Sequence, residues 1–254
     1  MIHEAFDSDG AADGETDGTE PVAPIAVAVL RAGGRLASVR SAQLVGISGL
    51  AVVVEVHASD GVPSFTIVGQ PDGACREARD RVRAALLTSG FAWPQRRLTV
   101  NLAPATMRKV GAGLDLAIAV AVLVADGQLA SDRVGGRAFL GELGLDGTVR
   151  RIPGIVSLVD DLLHDDPRIE VVVPASTVRE ALLLGRGNLR SAAALSSVIG
   201  CLQGLEPWPE PPDAADEQVG PAPLGDLADV RGQPLGRLGL EVAAAGGQDR
   251  KSVV

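Results

Sequence analysis

Residues 97–142, RLTVNLAPATMRKVGAGLDLAIAVAVLVADGQLASDRVGGRAFLGE, constrain the fold of this chain more than any other stretch. An apolar strand over 98–102 runs into a loop carrying Pro104, Arg108, Lys109, Gly111 and Gly113. A helix-period apolar run over 114–124 follows and stops at Asp126-Gly127. A second strand over 138–140 ends in Gly141-Glu142 and leads to a turn at Asp146-Gly147. A helix set between two strands packs as a layer on the sheet they belong to.

The flanking segments extend this pattern. β-branched runs at 42–45, 51–56 and 64–68 are separated by turn signals at 47–49 and 59–61, which predicts three antiparallel strands. Asp72 offers an N-cap to an amphipathic helix whose apolar positions are Ala78, Val82, Ala85 and Leu86, with Gly90 as its stop. On this helix Arg76 and Asp80 stand four residues apart, at pairing distance. Further on, 148–151 reads as a strand, 154–163 as a helix, 168–173 as a buried strand, 176–184 as a helix, 189–191 as a short strand and 195–202 as a helix. The expected class is α+β.

Charge and composition divide the chain. The first 24 residues hold seven acidic side chains and no Lys or Arg, residues 25–203 hold 19 basic against 16 acidic, and the last 51 hold four against nine. A nearly neutral folded middle is thus expected between acidic ends. Residues 1–35 read as a disordered acidic extension, because the Asp/Glu/Gly/Ala-rich 1–24 within it buries too little apolar surface to offset chain entropy. The domain is expected over 36–203. Residues 204–226, with six prolines, read as a linker, and 227–254 as a separate segment with a helix over 234–245.

Several function classes lose support. Aromatics are 2% of the chain and tyrosine is absent, so base-stacking platforms are hard to build. Cys75 and Cys201 belong to no CxxC or Cys/His cluster. No apolar run reaches the roughly 18 residues of a spanning helix, so no membrane partner and a cytoplasmic location are expected. Of three histidines, His3 lies in the acidic extension, His164 in an Asp-rich turn, and His57 at a strand end reads as an ordinary surface residue. Ser48, Ser89 and Ser157 have no base beside them in sequence. Near the C-terminus, Gly247 to Ser252 imitates a phosphate loop. GxxxxGK[ST] requires glycine before the lysine, and Arg250 stands there.

The 97–142 stretch resembles the proteolytic domain of Lon-type serine proteases, and more closely the N-terminal domain of magnesium-chelatase-like AAA+ ATPases of the ComM/YifB type. VEVHASDGVPSFTIVGQPDGACREARDRVRAALLTSGFAWPQRRLTVNLAPA, KVGAGLDLAIAVAVL and FLGELGLDGTVRRIPG carry the likeness, which runs over about 36–203 and resumes over 226–247. Gln70 replaces the usual apolar residue of the GLPD turn, and Ala117 the proline of the DLPIA run.

The resemblance implies a two-layer, ribosomal protein S5 domain 2-like fold. It also implies that Gly113 and Val156 stand where Lon-type proteases carry their serine and lysine. Neither side chain can act as nucleophile or base, so no catalytic residue is expected. The same likeness implies an AAA+ domain beyond the 227–247 lead-in, with ATP and Mg²⁺ as cofactors of the full-length parent and none in this chain. It further implies homo-hexamer assembly and, for the ComM branch, branch migration of DNA in natural transformation. Arg76, Arg79, Arg83, Arg96, Arg97, Arg108 and Lys109 are the candidate nucleic-acid or partner contacts. Two alternatives stand beside this reading: a Ser-Lys peptidase using displaced residues, and the motor subunit of a metal chelatase.

Overall fold

A computed structural model describes residues 29–31, 34–210, 226–229 and 231–246. The chain divides into two units, Met1–Pro212 and Asp213–Val254. The acidic segment over 1–28, most of the proline-rich stretch and the phosphate-loop imitation at 247–252 lie outside the described residues.

The first unit is built on one mixed sheet. Its strands are β1 (Val29–Arg31), β2 (Gly34–Val45), β3 (Ser48–Ser59), β4 (Ser64–Val68), β5 (Arg97–Ala103), β6 (Arg137–Phe139), β9 (Glu170–Pro174) and β10 (Asn188–Ala192). They run in the order β10-β9-β6-β2-β3-β5-β4, with β1 antiparallel to β2. A separate two-stranded ladder joins β7 (Glu142–Leu143) to β8 (Val149–Arg150). Strand pairing begins at Val29, ahead of the expected domain start at Leu36, because β2 is 12 residues long and its first residues pair with both β1 and β3.

Two expectations are corrected here. The β2–β3 turn is Gly46-Ile47, between the paired Val45 and Ser48, and not 47–49. Gly46 has φ +63, the left-handed conformation that a two-residue hairpin turn requires. The three strands also do not form a simple antiparallel meander. β5 inserts between β3 and β4, antiparallel to the first and parallel to the second. Gly69 permits this arrangement: a Cβ there would lie 2.2 Å from the Leu102 carbonyl oxygen.

Helices α1 (Gly73–Arg76), α2 (Ala78–Thr88), α3 (Asp115–Asp126) and α6 (Leu195–Gln203) share one core with the inward residues of the sheet. The alternation along the strands sends Val52, Val54, Val56 and Ala58 of β3, and Leu98, Val100 and Leu102 of β5, into that core. Helix α3 sits at its centre, with Leu116 to Leu123 all at 0% exposure. A helix apolar all round is stable only when enclosed in this way. Burying each Leu, Ile or Val side chain contributes about 1.5–3 kcal/mol.

Beyond a plain two-layer arrangement, α4 (Ile155–Asp165) and α5 (Val178–Leu182) cover the reverse face around β2, β6 and β9 with a second core. β9 is buried at all five positions for this reason, and its Val172 faces one core while Val171 and Val173 face the other. The second unit contributes α7 (Pro234–Ala245), with proline in its first turn and Leu235, Leu238, Leu240 and Val242 exposed.

Candidate functional site

The loop between β5 and α3 is held by polar groups of its neighbours, Asp72 ahead of α1 and Gln43 of β2. Asp72, extended at φ −75 and ψ −172, caps α1 by accepting from the Cys75 amide at 2.7 Å, and its other oxygen accepts from the Gly111 amide at 3.1 Å. Burial works to raise the Asp72 pKa, but these two amides and the nearby Arg108 charge outweigh it and hold the carboxyl below its ordinary value. The Gln43 amide group donates to the Arg108 carbonyl at 3.1 Å and accepts from the Val110 amide at 3.2 Å. The Ala103-Pro104 peptide is cis.

Lys109 closes the loop from within. Its side chain is 0% exposed, and Nζ donates to the Pro104 carbonyl and, at 2.9 Å, to that of Met107. Burial lowers its pKa. Lys109 is therefore a structural strut and leaves the set of candidate surface contacts. The physical reason is that its ammonium satisfies loop carbonyls that would otherwise be orphaned.

Under the loop lies an ion pair that sequence reading passed over. Asp115, 1% exposed, receives a forked contact from Arg81, Nε at 2.6 Å and Nη2 at 3.1 Å. The Leu143 amide donates to the same carboxylate at 3.4 Å, and Arg81 also donates to the Ala74 carbonyl at 2.8 Å. Burial pushes Asp115 up to about 6, with the Arg81 fork pulling the other way. The clue available in the sequence was one carboxylate, Asp115, interrupting the apolar run over 114–125, which needs a buried partner. On α2 the i, i+4 ion pair is Glu77–Arg81 at 3.6 Å, not the expected Arg76–Asp80.

Above this pair a cavity of about 280 Å³ opens between the loop, β2 and the start of α4. Ala42, Leu44, Val110, Ile152, Pro153 and Leu158 supply apolar walls; Gln43, Gly111, Ala112, Gly113 and Glu142 complete them. Gly113 thus forms part of the cavity wall, and a Cβ built on it would meet Ile152 at an ordinary 3.6 Å. Val156 packs against the second core instead. Cys75 is 1% exposed, its thiol donates to the Gly111 carbonyl at 3.1 Å, and burial pushes its pKa to about 12. Such a thiol is not a nucleophile at neutral pH.

The remaining basic candidates fall into two groups. Arg76, Arg79 and Arg83 are exposed along α1 and α2, and Arg108 is exposed and close enough to Asp72 to act on its charge. Arg96 and Arg97 sit at the opposite end of β5, where Arg96 pairs with Asp60 at 2.9 Å. Among the described residues no group of three His, Cys, Asp or Glu could hold a metal, and no helix is long and apolar enough to cross a membrane.

Comparison with known proteins agrees with this architecture. The family described as subunit ChlI of Mg-chelatase matches residues 54–177. The protein YifB of Escherichia coli strain K12 is 38% identical over 216 residues, covering 84% of this chain and 42% of the relative. Rv2897c of Mycobacterium tuberculosis is 40% identical over 201 residues, covering 79% and 39%. The competence protein ComM of Haemophilus influenzae is 36% identical over 215 residues, covering 83% and 42%. The chain spans about two fifths of the length of these relatives. The family match runs from within β3 to the residue before α5, and the chain has the α+β, ribosomal protein S5 domain 2-like fold and belongs to the magnesium-chelatase-like family of YifB and ComM.

Proposed function

We propose that this chain is the N-terminal, non-peptidase domain of a hexameric magnesium-chelatase-like AAA+ ATPase, whose motor uses ATP and Mg²⁺ to act on DNA. The observation that carries the reading is one of coverage. Similarity to YifB and ComM extends over 83–84% of this chain but only 42% of theirs, which leaves room in the parent for a motor domain. The 229–247 segment, DVRGQPLGRLGLEVAAAGG, resembles the lead-in to such a motor. The test is the genomic sequence downstream of Gly247 together with ATP hydrolysis by its product. An open frame encoding a phosphate loop and a DNA-stimulated ATPase are expected, and a parent that neither contains the loop nor hydrolyses ATP overturns the reading.

The exposed Arg76, Arg79, Arg83 and Arg108 supply the DNA-facing side of this domain, because phosphate contact is chiefly a matter of clustered guanidinium groups. Arg79 and Arg83 are one turn apart on α2, and Arg108 flanks the cap of α1. Four such contacts give a log affinity against log salt slope of about −3 to −4 on duplex DNA. Fluorescence anisotropy on a labelled duplex checks this. The double variant R79E/R83E should flatten the slope by about two, whereas R96E/R97E at the other end of β5 should leave it unchanged.

A further inference from the structure

We propose that the cavity beside Gly113 receives the side chain of a lysine or arginine presented by a protein partner. Its aliphatic stem would lie against Leu44, Val110, Ile152 and Leu158, and its charged head would meet the Glu142 carboxylate.

Size narrows the occupant first. At about 280 Å³ the cavity is at the lower limit of small-molecule sites, too small for a nucleotide and suited to one long side chain. Charge narrows it next. Asp115, beneath the cavity, is committed to Arg81 and to the Leu143 amide. Both ends of the Gln43 amide are taken by the backbone at Arg108 and Val110. Glu142 contributes its backbone to the β7–β8 ladder, while its carboxylate has no hydrogen-bond or ion-pair partner among the described residues.

Glu142 lies close enough to Arg81 and Asp115 for its charge to act on both. Arg81 is forked onto Asp115 and also meets Glu77, so the carboxylates around it outnumber its single positive charge and negative charge remains at Glu142 on the cavity wall. An anionic guest would be repelled. A neutral aliphatic guest would fill the walls but strip water from the carboxylate without replacing its hydrogen bonds. A lysine or arginine satisfies both parts at once, stem on apolar surface and head on the charge. The inference stands on the cavity itself and holds whether or not the parent is an ATPase.

The experiment titrates the isotopically labelled chain with two peptides, acetyl-Ala-Ala-Lys-Ala-amide and its counterpart with norleucine in place of lysine, reading amide shifts at Gly111, Gly113 and Glu142. Norleucine keeps the stem and removes the charge. On the native chain the lysine peptide should bind about fivefold more tightly, the expected value of a half-exposed ion pair. E142Q should erase that preference. G113V, whose Cβ meets Ile152 at an ordinary distance, should weaken both peptides, with circular dichroism verifying that each variant is folded. Equal affinity for the two peptides, a lysine preference that survives E142Q, undiminished binding to G113V or the absence of saturable shifts would each overturn the proposal.

Discussion

Two buried ionic clusters, one under the cavity and one near the far edge of the sheet, meet the same problem with opposite outcomes. Under the cavity, Asp115 is 1% exposed and faces a single guanidinium, that of Arg81. Burial wins there, and the carboxyl is pushed up to about 6. At the far edge, Glu170 of β9 is 8% exposed and lies between two arginines, Arg137 on β6 and Arg190 on β10, the latter at 2.6 Å. Burial again works to raise the pKa, but hydrogen bonds from Arg190 and Arg137 outweigh it and the carboxyl is held below its ordinary value. The number of cations and the remaining access to water decide the sign.

The largest effect should come from breaking the first cluster. R81M strands a buried carboxylate and is expected to cost about 3–5 kcal/mol of unfolding free energy at pH 7. Asp115 has its folded pKa above the unfolded 3.8, so the stability it contributes is full below pH 3.8 and is lost as pH rises through about 6. Without Arg81 that loss extends to higher pH. Urea denaturation should therefore find the R81M deficit smallest near pH 4 and growing toward neutrality; a pH-independent deficit would break the contrast.

E170Q should have the smaller cost of about 1–3 kcal/mol, since charged hydrogen bonds are replaced by neutral ones. Its pH dependence runs the other way. The folded pKa of Glu170 lies below 4.5, so its contribution is present above pH 4.5 and is lost as pH falls through the lowered value. The gap between native chain and E170Q should close in acid, which is the opposite of the R81M trend.

K109M tests the Lys109 strut. Two loop carbonyls lose their donor, for an expected cost of about 1–2 kcal/mol. Because the ammonium is buried, duplex binding and its salt slope should not change. A drop in DNA affinity without a drop in stability would return Lys109 to the surface set. G113A should change stability least, by under about 0.5 kcal/mol, because the added methyl meets Ile152 at ordinary contact distance.

Local chemistry was readable where neighbours in sequence are neighbours in space. The Asp72 cap and the helices over 115–126 and 234–245 rest on hydrogen bonds spanning a few residues, and the strand over 97–103 shows in its own alternation of buried and outward positions. Sequence reading went astray where the partner lies elsewhere. Lys109 in a glycine-rich loop looked solvated, because nothing adjacent shows that Pro104 and Met107 carbonyls curl round it. Nothing in the sequence sets Arg81 apart from the other arginines of its helix, since Asp115 is 34 residues away. The insertion of β5 between β3 and β4 left no trace in periodicity, which registers faces and not neighbours.

Alternation and helix period, read along the chain, set the class of fold and the apolar face of each element, since these depend on side-chain spacing alone, while the family likeness rests on the identity of the motif residues. Tertiary structure alone decided which strand lies beside which, that Lys109 is interior, that the pKa of Asp115 is raised while that of Glu170 is lowered, and that Gly113 borders a cavity with Glu142 on its wall. Each of these depends on distances and dielectric surroundings set by residues remote in sequence.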